Sequence, residues 1–227
     1  MIDISDISFN YGDKPVLKGV SIAFESGKIH GIVGLNGSGK TTFFKLLAKM
    51  LRPQSGQILW NAQPITRLNT AFLETENYFY PKLTGREYLA IFKQSNPRFQ
   101  LDAFQAIFAL PLDKLIEYYS AGMKKKLALL AILKQDKPIY IFDEPFNGLD
   151  MESAKILELT LRAMTNPNRV ILIASHILAP LLHVCDEIHL LQAGLFQRSY
   201  AAESFHQIES ALFSELEARW KDLDQLL

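Results

Sequence analysis

The stretch IHGIVGLNGSGKTTFFKLLAKML, residues 29–51, constrains the fold more than any other part of the chain. "IHGIV" has the length and apolar character of a short buried strand, and a helix is expected from about Lys40 to Leu51. Phe43, Leu46, Leu47 and Met50 recur on one face of that helix at the 3.6-residue period. Between strand and helix lies Gly34, four residues, then Gly39, Lys40 and Thr41. Glycines at these places let the backbone curl, so that N–H groups of Asn36, Gly37, Ser38 and Gly39 point inward. The helix N-terminus adds partial positive charge. Such a cradle suits phosphate oxygens, and the spacing is that of a nucleoside triphosphate loop. In that reading Lys40 holds the β- and γ-phosphates, Thr41 a Mg²⁺ ion, and Thr42 the α-phosphate.

A second segment fits this one. "PIYIFDEPFNGLD", residues 138–150, is a buried-strand pattern ending in two adjacent carboxylates, Asp143 and Glu144. Side by side, each raises the cost of ionising the other, and a nearby cation relieves that cost. Successive strand residues point to opposite sides, so the two acids need not do the same job. Asp143 is expected to face the phosphate loop and hold Mg²⁺. Glu144, just past the strand end, is expected to act as general base on a water aligned with the γ-phosphate.

The rest of the chain supplies the frame. "MIDISDISFNY" alternates through Ile2, Ile4 and Ile7 as a half-buried strand, a second alternating strand follows, and 56–65 reads as a strand pair. From 77 to 134 the pattern turns helical, in "TGREYLAIFKQ", "LDAFQAIFAL" and "MKKKLALLAILKQ". Then come a strand, a helix from Met151 to Met164, and the strand of "RVILIASH". Strands interleaved with crossover helices imply an α/β fold with a mainly parallel sheet covered on both faces. The organisation expected is a single domain, 1–227, with a nucleotide-binding core of 1–76 and 135–227 and a helical insertion of 77–134. At the end, Phe205, Ile208, Leu212, Leu216, Leu223 and Leu227 fall at helical spacing. They fit a helix across the core, or a partner contact.

Composition narrows the function classes. Lys plus Arg and Asp plus Glu each number 24, and a net charge of zero argues against broad capture of nucleic acid. The single cysteine, Cys185, rules out an internal disulfide and a multi-cysteine zinc site, and reads as a small core residue of a reducing compartment. No run approaches the roughly 18 apolar residues that span a bilayer, and the start of the chain has no basic-then-apolar secretory pattern. A cytoplasmic protein is expected.

The discriminating stretch is "YYSAGMKKKL". Ser120 and Gly122 open a helix, a start that offers a hydroxyl, free N–H groups and dipole charge to an anion. Tyr119-Ser120-Ala121-Gly122-Met123 resembles the signature sequence of ATP-binding cassette (ABC) proteins. Tyr11, a little ahead of Val16, resembles that family's adenine-stacking aromatic. "DEPFNGLD" resembles its acidic strand end followed by the loop whose aspartate, here Asp150, contacts the opposite subunit. "ILIASHI" resembles its switch strand, with His176 at the γ-phosphate. The likeness covers essentially the whole chain. It implies a P-loop NTPase fold in which an antiparallel β subdomain and a helical subdomain flank the core. It also implies a head-to-tail dimer in which each ATP lies between one chain's phosphate loop and the other's signature helix. One chain then supplies Lys40, Asp143, Glu144 and His176, and its partner supplies Ser120 and Gly122. Opening and closing of this sandwich drives membrane-spanning permease subunits.

The sequence departs from the family in places. Where the family usually has a Mg²⁺-binding glutamine, Thr75 stands between Glu74 and Glu76, and a bridged water or Glu76 could substitute. Ala121 and Met123 replace a glycine and a glutamine in the signature, a variant resembling exporter families. Tyr78, Phe79 and Tyr80 stand in a row at the place where a membrane partner would dock, and periodicity can bury only some of them. The leading expectation is the ATPase subunit of a transporter, an exporter rather than an importer, at the cytoplasmic face of the cell membrane and paired as a homodimer. The alternatives are a soluble ABC ATPase of repair, translation or cofactor assembly, and a non-hydrolysing subunit.

Overall fold

The computed structural model describes residues 1–213, so the expectations for Leu216, Leu223 and Leu227 fall outside the described residues. Among those described, two sheets carry the fold. Strands β1 (Ile2–Tyr11), β2 (Lys14–Phe24), β4 (Ser55–Trp60) and β5 (Gln63–Pro64) form an antiparallel sheet in the order β2-β1-β4-β5. The larger sheet takes β3 (Ile29–Val33), β6 (Thr70–Leu73), β7 (Ile139–Asp143), β8 (Val170–Ser175), β9 (Glu187–Gln192) and β10 (Leu195–Ala201). Its order is β10-β9-β3-β8-β7-β6, and every neighbour pair is parallel except β9 with β10.

The alternation that marks β1 does not run evenly from Ile4 to Ile7, which are three residues apart. A bulge resolves this: the register with β2 and β4 shifts there, and Asp6 takes a φ of 52°. The extra residue returns Ile7 and Phe9 to the buried face already occupied by Ile2 and Ile4.

Strand β7 is buried at all five positions, as a parallel strand covered on both faces should be. Ile139 and Ile141 pack with Phe43 and Phe44 of helix α1 (Lys40–Leu47) and with the antiparallel sheet. Tyr140 and Phe142 face the opposite core, formed with helices α2 (Gly85–Ile91), α3 (Leu101–Phe108) and α4 (Ala121–Leu133). These three helices lie in sequence between β6 and β7. Leu127 to Leu133 of α4 are all buried, so only its first half is amphipathic. Helices α5 (Met151–Met164) and α6 (Leu178–Val184) flank β8 in sequence. Cys185 is buried, as expected.

Helix α1 is shorter than its apolar pattern suggests. It ends at Leu47, Lys49 turns the chain with a φ of 57°, and Met50 is 46% exposed rather than on the buried face. The N–H groups of Met50 and Leu51 bond back to Lys45 O, which closes the helix instead of extending it. At the other end, Ile208 and Leu212 are buried and Phe205 packs partly against the same core.

Candidate active site

Strand β3 delivers the chain to the glycine loop. A Cβ on Gly34 would lie 2.2 Å from Leu191 O, so no larger residue fits where the loop leaves the sheet. Gly37 and Gly39 take φ values of 81° and 110°, conformations that only glycine adopts freely. Gly39 caps α1 without a side chain, which leaves the first N–H groups of the helix free for an anion. Lys40 follows and folds over the loop. Its Nζ donates to Gly34 O at 2.7 Å and to Leu35 O at 3.3 Å, and burial lowers its pKa. Ser38 Oγ is buried with no hydrogen-bond partner among the described residues.

The period of two along β7 places Asp143 on the same face as Ile139 and Ile141, towards α1. There Thr41 Oγ1 donates to Asp143 Oδ2 at 2.7 Å. Burial pushes the Asp143 carboxyl up, while the Thr41 and Thr75 hydroxyls pull it down. Its other oxygen, Oδ1, is buried and has no hydrogen-bond partner among the described residues. A buried carboxylate oxygen left over beside a threonine hydroxyl fits a hard cation.

Glu144 leaves the strand with a φ of 50°. Its N–H still bonds Ala174 O at 2.9 Å, but its side chain swings to the end of β8. Glu144 Oε1 accepts from the His176 N–H at 2.9 Å, and Oε2 accepts from Ser175 Oγ at 3.1 Å. His176 Nδ1 lies 2.9 Å from Oε1. The two acids therefore face different groups, as their adjacent positions suggest.

A cleft of about 490 Å³ joins these parts. It brings Tyr11 and Val16 together with Asn36, Gly37, Gly39, Lys40, Thr41, Thr42, Glu144 and His176. Tyr11 is 51% exposed, and its ring lies nearly perpendicular to that of Phe9. Gly34, Ser38 and Asp143 are not among the residues that line the cleft. Thr75, rather than Glu76, lines the cleft. Lys14 and Asn147, which the sequence reading does not single out, also line it. Asn147 had a signal, its place in the loop after Glu144; Lys14 had none beyond lying between Tyr11 and Val16.

Three expected residues are not brought to this cleft. Ser120 is the exposed N-cap of α4, its Oγ accepting from Met123 N at 3.2 Å. Gly122 has open space where a Cβ would be, so no described residue requires a glycine there. Asp150 caps α5, its Oδ1 accepting from Ser153 N at 2.7 Å, and is exposed.

Comparison with known proteins gives the family. The sequence profile of the family described as "ABC transporter" matches residues 17–147. The chain belongs to the ABC transporter family. It is an ATP-binding subunit, an ATPase coupled to transport. A Nod factor export ATP-binding protein I of Burkholderia orbicola is 30% identical over 211 residues, covering 85% of this chain and 68% of that protein. A cobalt import ATP-binding protein of Salmonella paratyphi A is 27% identical over 212 residues, covering 86% of this chain and 78% of the relative. The solved structure of the ATP binding subunit of an ABC transporter superposes with a TM-score of 0.83 at 25% identity, covering 96% of this chain and 98% of that one. The fold of this ABC subunit is that of its structural neighbours: a mostly parallel sheet, an antiparallel sheet and helices.

Proposed function

We propose that this subunit hydrolyses ATP with Glu144 as general base, inside a dimer whose two sites are each shared between chains. The observation that carries the reading is the division of labour at the end of β7. Asp143 turns to Thr41 and keeps one oxygen unpartnered. Glu144 bonds to the end of the switch strand, where the His176 N–H and the Ser175 hydroxyl orient it. Tyr11 stacks on the adenine, Val16 flanks it, and the N–H groups of Asn36, Gly37, Ser38 and Gly39 with those of Lys40, Thr41 and Thr42 bind the phosphates. Lys40 exchanges its contacts to Gly34 O and Leu35 O for the β- and γ-phosphates. Thr41 and Asp143 would hold Mg²⁺, with Thr75 beside them. When bound, the ion supplies positive charge that neutralises the phosphates and lets adjacent carboxylates stay ionised. Glu144 takes the proton of the attacking water, and His176 steadies both Glu144 and the γ-phosphate.

Ser120, Gly122 and Asp150 serve the neighbouring chain in this reading. Each lies outside the cleft and is exposed or unencumbered, which suits contact with a second copy. The domain assignment we favour keeps 77–134 as a helical subdomain beside the core of 1–76 and 135–227. No helix among the described residues is long and apolar enough to cross a membrane. In our reading the transport path belongs to separate permease subunits, with this chain peripheral on the cytoplasmic face. Tyr78 and Tyr80 are 72% and 55% exposed and touch edge to face. They form the docking patch, since exposed aromatics are typical interface anchors. Export is the direction we favour, on the Ala121 and Met123 signature variant.

Glu144→Gln tests the reading. The amide is nearly isosteric, so ATP binding should persist while turnover falls by roughly two to four orders of magnitude. Near-normal turnover would remove Glu144 as the base.

A further inference from the structure

Lys125 lies in the second turn of α4, behind the signature segment, and does not line the nucleotide cleft. Its ammonium is partly buried and aimed at backbone. Nζ donates to Glu144 O at 2.8 Å and to Asn147 O at 3.0 Å. Burial lowers its pKa, opposed by the charges of Glu144 and Asp143. A lysine partly desolvated to hold two carbonyls points to a reason for holding them.

The reason lies in the backbone of Glu144. A φ of 50° is disfavoured for any side chain with a Cβ and persists only where its surroundings fix it. On one side the Glu144 N–H is held by Ala174 O. On the other, Glu144 O accepts the turn bond from Asn147 N at 3.2 Å and the charged bond from Lys125. Asn147, the second anchor, lines the cleft itself. Releasing Lys125 frees this turn to rotate, and the Glu144 carboxylate turns with it. Misplacing a reacting group by about 1 Å costs on the order of a hundredfold in rate.

We propose that Lys125 is a positioning residue for hydrolysis, tying the signature helix to the turn that carries the general base through Glu144 O and Asn147 O. The proposal rests on the role given to Glu144 above. It separates binding from catalysis: the phosphate loop, Tyr11 and Asp143 are untouched, so ATP affinity should not depend on Lys125.

The test compares wild type, Lys125→Met and Lys125→Arg in steady-state ATPase assays across ATP concentration, with melting temperatures alongside. Methionine keeps the length of the stem and removes the donor. One lost charge-assisted hydrogen bond corresponds to roughly a tenfold change, so kcat for Lys125→Met should fall about tenfold or more with KM within about twofold. Lys125→Arg, which can donate to both carbonyls, should recover most of the rate. In a Glu144→Gln background Lys125→Met should cost nothing further, because both act on one group. If Lys125→Met fails to fold, Lys125→Gln, a neutral donor on a shorter arm, is read by the same split. Turnover within about twofold of wild type in the folded variant, an equal loss in Lys125→Arg, or a KM that rises with the loss of kcat would overturn the proposal. Loss of turnover in Glu144→Gln beside normal turnover in Lys125→Met would sink this inference alone. Retained turnover in Glu144→Gln would sink the base assignment and this proposal together.

Discussion

Three aromatics in a row, Tyr78, Phe79 and Tyr80, give a prediction that separates packing from docking. Phe79 turns inward and packs on Tyr88, ring centroids 4.9 Å apart, against the core shared with α2 and α4. Tyr78 and Tyr80 turn outward and meet each other at 5.3 Å. Pairing Tyr78 with Phe79 in one variant would therefore mix two effects, because Phe79 belongs to the core. Removing a fully buried phenylalanine ring costs about 3–5 kcal/mol. Phe79 is half-buried, so Phe79→Ala should cost about 2 kcal/mol. In a domain of this size that lowers the melting temperature by roughly 4–8 °C. Tyr78→Ala with Tyr80→Ala removes exposed surface and one exposed edge-to-face contact, under about 1 kcal/mol in all. Melting should move by at most about 3 °C, with solution ATPase activity unchanged. Sedimentation with membranes that contain the partner permease should be lost in the double tyrosine variant and kept in Phe79→Ala. Equal destabilisation by the two variants would refute the packing argument, and wild-type sedimentation of the tyrosine variant would refute the docking role.

Two further outcomes follow from packing. Gly34→Ala should abolish ATP binding in a filter or fluorescence assay, because its Cβ would lie 2.2 Å from Leu191 O and 2.6 Å from Ser38 Oγ; retained affinity would show that the loop can shift. His30 and His189 form a buried pair, Nδ1 to Nε2 at 3.1 Å with ring centroids 5.3 Å apart, so the rings meet edge to edge. His30 Nε2 faces Glu25 O, which only accepts, so His30 Nδ1 accepts from His189 Nε2–H while Ser199 donates to His189 Nδ1 at 2.7 Å. Burial holds both histidines neutral and lowers His189 to about 3. The unfolded chain then binds more protons below about pH 6.5, so stability is present above that pH and falls as pH drops towards 3. For His189 the loss is about 2 kcal/mol at pH 5. Urea midpoints should decline from pH 7.5 to 5, and less steeply in His189→Gln; parallel declines would contradict this.

What the sequence makes legible is what chemistry fixes locally. The phosphate loop needs glycine, lysine and threonine at set intervals, and Asp143 and Glu144 mark the end of a strand whatever lies around it. Helix α5 is bounded where it was expected because Asp150 caps it and its apolar period is regular. Strand β6, only four residues between polar turns, is too short for a period to show, and β9 and β10 carry no motif to single them out. Met50 was placed on a helix face because its spacing fits, but the turn at Lys49 outweighs spacing. The bond from Lys125 to Glu144 O spans 19 residues and ends on backbone, so no pattern of side chains announces it. The roles proposed for Ser120, Gly122 and Asp150 depend on a surface from another chain, which no single fold displays.

The shared site is the central claim, and the oligomeric state of Glu144→Gln tests it most directly. Size-exclusion chromatography with light scattering would compare the variant with and without Mg²⁺-ATP. A shared site gives a dimer with ATP and a monomer without it. Adding Ser120→Arg, a bulky group where the partner's γ-phosphate must lie, then restores the monomer while ATP still binds. A Glu144→Gln variant that binds ATP and stays monomeric would contradict the sandwich, as would an ATP-dependent dimer indifferent to Ser120→Arg.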